Sequence, residues 1–419
     1  MINFKKFLNN SFINNAISVF GFKILCYIVT FFASIYLANL LGPTGKGKLA
    51  VITSVSGMVI QFGNMGMHSS NTYYISKDRN KIKYCEGNII ILIILSIIII
   101  PIGITYFSIN GNLLNLEPFF LIIAFLLVPF NMFIMLQENL FIASDKVKYF
   151  NILEILNNGL YFILLILSTI IFPLDITTVV ISMLLAGILI SVYSIIAYFR
   201  QVEKNIKISI KFFLDTLPYG LKSYCACLMA YLVLRVDVFM LNYYTDDYNV
   251  GIYSLAVNLV DMSYMVSSSI SIILFPKLST LRYISERKAL VKKVLLVSTP
   301  ILFFIYFIMA VFARFVINLL YGEQFIEAVP VLYILIPGAF CWATANYFCQ
   351  FFASENKLLP TIIVPTLALI VNVILNYKLI PISGIRGTAF ASTFSYLICL
   401  ICMLLIYYFY TKRLQKESI

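Results

Sequence analysis

The ionisable side chains inside otherwise apolar runs that could do chemistry are the bases Lys23, Lys222 and Arg235 and the acids Glu154, Asp237 and Asp261. A formal charge at mid-membrane costs at least about 2.5–3.5 kcal/mol on insertion scales, so such residues face a bundle interior or an aqueous cavity. The three bases are candidate binders of an anionic substrate, because a fixed cation in a cavity offsets the cost of taking a negative group out of water. The three acids are candidate ion-coupling groups, since a carboxylate inside a membrane can bind and release a proton or a cation. Plainer readings stand beside these. Lys23 and Lys222 each lie about seven residues inside a run, about 10 Å from its end, and can snorkel to the interface. Arg235 can pair with Asp237 or Asp261. Arg235 and Asp237 are two residues apart and point about 200° apart on a helix, so one of them is expected to pair with a neighbouring helix. Glu154 can belong to the interface alone. Gln61, Asn64, His68 and Asn71 recur at helical spacing, a single polar stripe that either binds a hydroxyl-rich ligand or joins helices.

Metal and nucleophile chemistry have little support. Cys399 and Cys402 form a C-x-x-C within an apolar run, without a second pair, and the remaining cysteines read mainly as small hydrophobes. His68 is the only histidine. No catalytic residue and no metal site are expected.

The elements that must position these side chains are membrane spans. The chain has 419 residues, 61% hydrophobic and 11% charged, a balance outside the range of soluble domains. The apolar runs are near-continuous rather than alternating, which points to helices and not to a barrel. Twelve runs are long enough to cross: roughly 16–40, 49–73, 87–109, 118–142, 150–172, 176–199, 214–243, 250–276, 293–320, 328–353, 359–380 and 387–410. The polar start and long first run do not resemble a cleavable signal, so the first run is expected to stay as a span. The net charge of +12 does not imply nucleic acid, because the bases are spread loop by loop. One set of loops and ends holds 22 Lys and Arg, the opposite set only four. That bias predicts both termini in the cytoplasm.

Three internal matches recur at nearly half the chain length. Gly47 aligns with Gly251, FIASDK (141–146) with FFASENK (351–357), and Pro129 with Pro337, both read as helix interrupters. They predict two six-helix halves, 1–205 and 206–419, of equal orientation and related by a pseudo-two-fold along the membrane normal, with a substrate site between them.

Four segments carry a family resemblance: LANLLGPTGKG (37–47); YLVLRVDVFML with VGIYSLAVNLVD and Pro276; LLYGEQF (319–325); and NVILNYKLIPISGIRGTAFAS (372–392). In this order and spacing they resemble the polysaccharide flippases of Wzx type, in the multidrug/oligosaccharidyl-lipid/polysaccharide exporter superfamily. The resemblance covers nearly the whole chain. It implies an all-α, V-shaped, twelve-helix transporter in the bacterial inner membrane. Its substrate would be an undecaprenyl-diphosphate-linked oligosaccharide, moved by alternating access to the periplasmic leaflet for O-antigen, capsule or another surface glycan. No cofactor is implied beyond a proton or sodium gradient, no enzymatic activity, and a polymerase and other glycan-assembly proteins are candidate partners. Lys23, Lys222 and Arg235 would then meet the diphosphate, Gln61 and Asn64 the sugars, and Asp261, Asp237 and Glu154 would couple an ion. The competing transporter is a multidrug exporter, which relies on carboxylates in its first half; the first run carries Lys23 and no acid. A membrane glycosyltransferase or polymerase would need a larger extramembrane loop than the 12–16 residues or so available here.

Overall fold

Glycines decide where the longest apolar runs turn. In the computed structural model, which describes residues 10–109, 116–171, 175–202, 205–281 and 283–417, the first helix, α1, runs Asn10–Gly63 but is broken at Gly42, with φ 64°. The last, α11, runs Leu359–Glu417 and is broken at Gly384, with φ 52°. A side chain is disfavoured at such backbone angles, and Pro43 then supplies a φ suited to restarting a helix. Between them lie α2 (Met67–Lys77), α3 (Ile82–Ile109), α4 (Pro118–Ala143), α5 (Val147–Ile171), α6 (Ile176–Gln201), α7 (Ile210–Tyr244), α8 (Asp247–Thr280), α9 (Ile284–Tyr321) and α10 (Ala328–Ser354), with 3-10 turns at Arg79–Lys81 and Glu323–Phe325. The protein is an all-α polytopic membrane protein. Ten helices among the described residues are long and apolar enough to cross a bilayer. Two of them, of 43 and 56 residues, would extend about 65 and 84 Å if straight, twice a hydrocarbon core of about 30 Å. Dividing each at its glycine yields the twelve spans expected from the sequence.

Two expectations need correction. Pro129 and Pro337 do not interrupt helices; each lies inside a continuous one, α4 and α10. The second span does not run unbroken through 49–73. It stops at Gly63, passes through left-handed Met65 (φ 48°) and Gly66 (φ 71°), and resumes as α2.

The local structure of the repeat is nevertheless explicit. After α4 the chain turns through Asp145 at φ 59°, and after α10 through Asn356 at φ 56°. Lys146 N donates to Phe141 O at 2.8 Å, and Lys357 N to Phe352 O at 2.9 Å. Each turn is met by an arginine from earlier in the chain: Arg79, in the 3-10 turn after α2, pairs with Asp145, and Arg287, near the start of α9, pairs with Glu355.

The helices group into two compact units. One comprises Met1–Leu41 and Ile52–Tyr224, the other Gly42–Val51 and Cys225–Ile419. Within the first, the start of α7 is tied to α2 and α3. Ser70 Oγ donates to Thr216 O at 2.8 Å, Asn88 Nδ2 to Thr216 Oγ1 at 3.1 Å, and the Tyr73 and Tyr219 rings stack at 4.1 Å. Gly66 lies so close to Gly220 that an added Cβ would sit 2.1 Å from its carbonyl oxygen. These bonds explain why this unit continues to Tyr224. The segment Gly42–Val51 joins the second unit for a similar reason. A Cβ on Gly47 would sit 1.8 Å from Asp247 O, and one on Gly251 1.8 Å from Pro43 O. The repeat-matched glycines thus allow a backbone contact that no side chain would permit.

The first unit packs Met67, Ile89, Met132, Leu136, Phe141 and Tyr198 into its core; the second packs Val233, Leu274, Phe348, Phe351, Val364 and Met403. Phe303, Phe304, Phe307, Val311 and Phe315 of α9 are exposed, as befits a face turned to lipid rather than water.

Candidate functional site

The deep charges of the second unit lie on α7 and α8. Arg235 Nη2 donates to Asp261 Oδ2 at 3.0 Å, and both side chains stay about one-third accessible (32% and 39%). Asp237, two residues along α7, turns to a different set. Its Oδ2 accepts from Tyr253 Oη and from Ser392 Oγ at 3.0 Å, its Oδ1 accepts from Val238 N at 2.8 Å, and the side chain is buried. Asn372 Nδ2 reaches Ser392 Oγ at 3.3 Å, and Asn376 Nδ2 reaches Asn372 Oδ1 at 2.7 Å. The opposed directions of Arg235 and Asp237 follow from helical geometry.

Asp261 lines a small cavity of about 40 Å³ walled by Tyr253, Tyr264, Tyr306, Trp342 and Tyr396. Tyr264 also borders a larger hollow of about 330 Å³, with Ser268, Ser271, Phe275, Asn346 and Gln350. Positions 261, 264, 268 and 271 recur at helical spacing, so one face of α8 connects the ion pair to this hollow. Asn346 Nδ2 donates to Ser271 Oγ at 2.7 Å, and Gln350 Nε2 to Asn346 Oδ1 at 3.4 Å. Amides, hydroxyls and aromatic rings together suit sugars, which present both hydroxyls and apolar ring faces.

In the first unit Lys23 lies 3.9 Å from Glu154, with side chains 28% and 20% accessible. Both act electrostatically on Glu138 of α4. The first-half cation therefore has carboxylates around it, although its own run contains none. The backbone of Lys222 lies in α7, but its side chain is outside the described residues.

The expected single stripe of Gln61, Asn64, His68 and Asn71 is overturned by the break after Gly63. Gln61 lies in α1, Asn64 in the break, and His68 and Asn71 in α2. Asn64 is buried and holds the break: its Oδ1 accepts from Gly66 N at 2.8 Å and lies 3.1 Å from His68 Nδ1. Gln61 Oε1 is at the limit of bonding to Asn64 Nδ2, at 3.5 Å. Asn71 is also buried, bonded to Cys85 O and to Asn88 Nδ2.

Sequence reasoning missed Tyr253 and Ser392 as partners of Asp237, Asn372 and Asn376 as the polar chain behind Ser392, and Glu138 as a neighbour of the Lys23 region. The four-residue spacing of Asn372 and Asn376 in an apolar run was the available signal. Among the described residues no group of three His, Cys, Asp or Glu side chains is placed to hold a metal.

Known proteins share this architecture. "Lipid II flippase MurJ, inward closed conformation" superposes with a TM-score of 0.74 at 15% identity, covering 91% of this chain and 87% of that one. An inward-facing multidrug resistance MATE family transporter of the MOP superfamily superposes with a TM-score of 0.69 at 16% identity, covering 94% and 96%. These likenesses establish the fold. In sequence, "Uncharacterized membrane protein MJ1068" of Methanocaldococcus jannaschii is 26% identical over 250 residues, 56% of this chain, and the match spans about half (47%) of that protein's length. Residues 12–282 match the family described as "Polysaccharide biosynthesis protein". That match takes in well over half of the sequence, with Arg235, Asp237 and Asp261 inside it, and the chain belongs to that family.

Proposed function

We propose that this protein is a flippase for undecaprenyl-diphosphate-linked oligosaccharide repeat units in the bacterial inner membrane, serving O-antigen, capsule or a similar surface glycan. The observation that carries the reading is a fixed guanidinium, Arg235, deep in an apolar helix and paired with Asp261 of α8, whose face leads to a hollow lined by hydroxyls, amides and two aromatic rings, in a chain of the polysaccharide biosynthesis family. The diphosphate carries roughly two negative charges and cannot cross hydrocarbon unaided. Arg235, with Lys23 and Lys222, offsets that cost, the polar hollow takes sugars in place of the Gln61–Asn64 stripe, and the polyprenyl chain stays in lipid. Two six-helix halves, 1–205 and 206–419, alternate access, with both termini cytoplasmic as the Lys and Arg bias indicates. Asp261, Asp237 and Glu154 couple the cycle to a proton or sodium gradient, and a glycan polymerase receives the product.

A second reading, export of cationic drugs, draws on Glu154 and Glu138 around Lys23, where acids outnumber the base. A strain lacking the gene separates the two. Lipid-linked oligosaccharide should accumulate on the cytoplasmic side, and the wild-type gene should restore surface glycan. Undiminished surface glycan in the deletion strain, together with sensitivity to cationic dyes, would replace the flippase reading with the exporter.

A further inference from the structure

Glu86, at the start of α3, is 3% accessible, and Gln137, near the end of α4, is fully buried. Gln137 Nε2 donates to Glu86 Oε1 at 2.5 Å. The other two oxygens of this pair, Glu86 Oε2 and Gln137 Oε1, are both buried and, among the described residues, both without a hydrogen-bond partner. An ionised carboxylate accepts only, and an amide oxygen accepts only. Two acceptors from one contacting pair are therefore left without a donor, an arrangement that buried polar groups avoid.

Among the described residues no ion pair accounts for the carboxylate. Burial and the Gln137 amide are the influences on it. Its neighbour Cys85 is a buried thiol that reaches Asn71 O, and from α2 Asn71 Nδ2 reaches Cys85 O. Arg79 is held by Asp145, Lys81 lies over the Tyr74 ring at 5.2 Å, and Lys83 over the Tyr84 ring at 5.8 Å. Glu138, next to Gln137, is engaged electrostatically with Glu154 and Lys23. A metal ion would need several further oxygen ligands, and the described residues contain no acid cluster for one.

We infer that Glu86 and Gln137 form a proton-binding site in the first unit, with Glu86 held as the neutral acid and its proton on Oε2. One proton taken up from water converts the carboxylate to a hydroxyl-bearing acid, and the charge of the unit rises by one. The acid then offers one donor and one acceptor to an amide that offers the same in return. The ligand is a proton, and the site is separate from the Arg235–Asp261 pair. Its use as the coupling proton of transport rests on the flippase reading; its occupancy does not.

Infrared difference spectra of the full-length protein in lipid nanodiscs test the occupancy. At neutral pH, wild type minus Glu86→Gln should show one protonated-carboxyl C=O band per chain, shifted in deuterated water. A difference containing only carboxylate bands, whether or not they move on adding sodium, overturns the site. Glu86→Gln preserves the pairing with an amide and should melt near wild type, whereas Glu86→Ala should melt lower; equal destabilisation by both also overturns it. In proteoliposomes, an imposed pH gradient should accelerate glycan transport by wild type and not by Glu86→Gln. An unchanged response in the variant removes the coupling role. Failure of the wild type to move glycan at all strikes the flippase reading and leaves the infrared result standing.

Discussion

Replacing Arg235 with Ala leaves the Asp261 carboxylate without its partner inside the helical bundle. At the observed 3.0 Å, two unit charges attract by about 5.5 kcal/mol at an effective dielectric of about 20. That gross figure overstates the loss, because water replaces part of the contact where side chains are 32% and 39% accessible. Exposed pairs contribute about 0.2–1 kcal/mol, and breaking a buried pair costs about 3–5 kcal/mol. This pair lies between, so a loss of about 2 kcal/mol is expected, with insertion retained. Export should fall further, by about 100-fold, equivalent to about 2.7 kcal/mol, because the same guanidinium is the proposed counter-charge of the diphosphate. Asp261→Asn should keep most of the stability and the glycan binding but lose the response to an ion gradient. The double variant Arg235→Met/Asp261→Leu removes both charges and should recover stability. Surface glycan measured against membrane-inserted protein separates packing from transport. Full export by the double variant would refute the assignment, since the two charges would then serve only each other.

The two repeat-related clasps should differ in strength. Arg287→Ala exposes Glu355 in a pair only 15% and 16% accessible and should cost about 2–4 kcal/mol, whereas Arg79→Ala, in a pair 69% and 80% accessible, should cost less than about 1 kcal/mol; thermal unfolding in nanodiscs reads both. Asp175 caps α6, its Oδ1 accepting from Thr178 N at 2.8 Å, and this bond holds its carboxyl below the usual range. A depressed folded value means the cap contributes fully above the unfolded pKa and is lost as pH falls through the folded one. Asp175→Ala should thus cost about 1 kcal/mol at neutral pH and nothing once the medium is acidic enough to protonate the wild-type cap, a difference visible in melts across the acid range.

Much of the site was legible as a set of expensive residues and little of it as a set of partners. Arg235 and Asp261 stood out because each interrupts an apolar run, yet the choice of Asp261 over Asp237 needed the packing of α7 on α8. Asn64 and Asn71 fitted a helical period, and the period failed because left-handed Met65 and Gly66 break it. Glu86 drew no notice, lying at the edge of its run among Lys81, Lys83 and Asn88, where a carboxylate looks like ordinary interface.

Residue chemistry read along the chain determined the membrane class, the twelve spans, the charge bias of the loops and the recurrence of one half in the other. These depend on transfer free energies and local turn geometry, which are additive and nearly independent of distant contacts. Tertiary structure decided the pairings: Arg235 with Asp261 across 26 positions, Glu86 with Gln137 across 51, and Asp237 with Ser392 across 155. A buried charge must find a partner, but which partner is a question of distance between helices, and hydropathy carries no information about that.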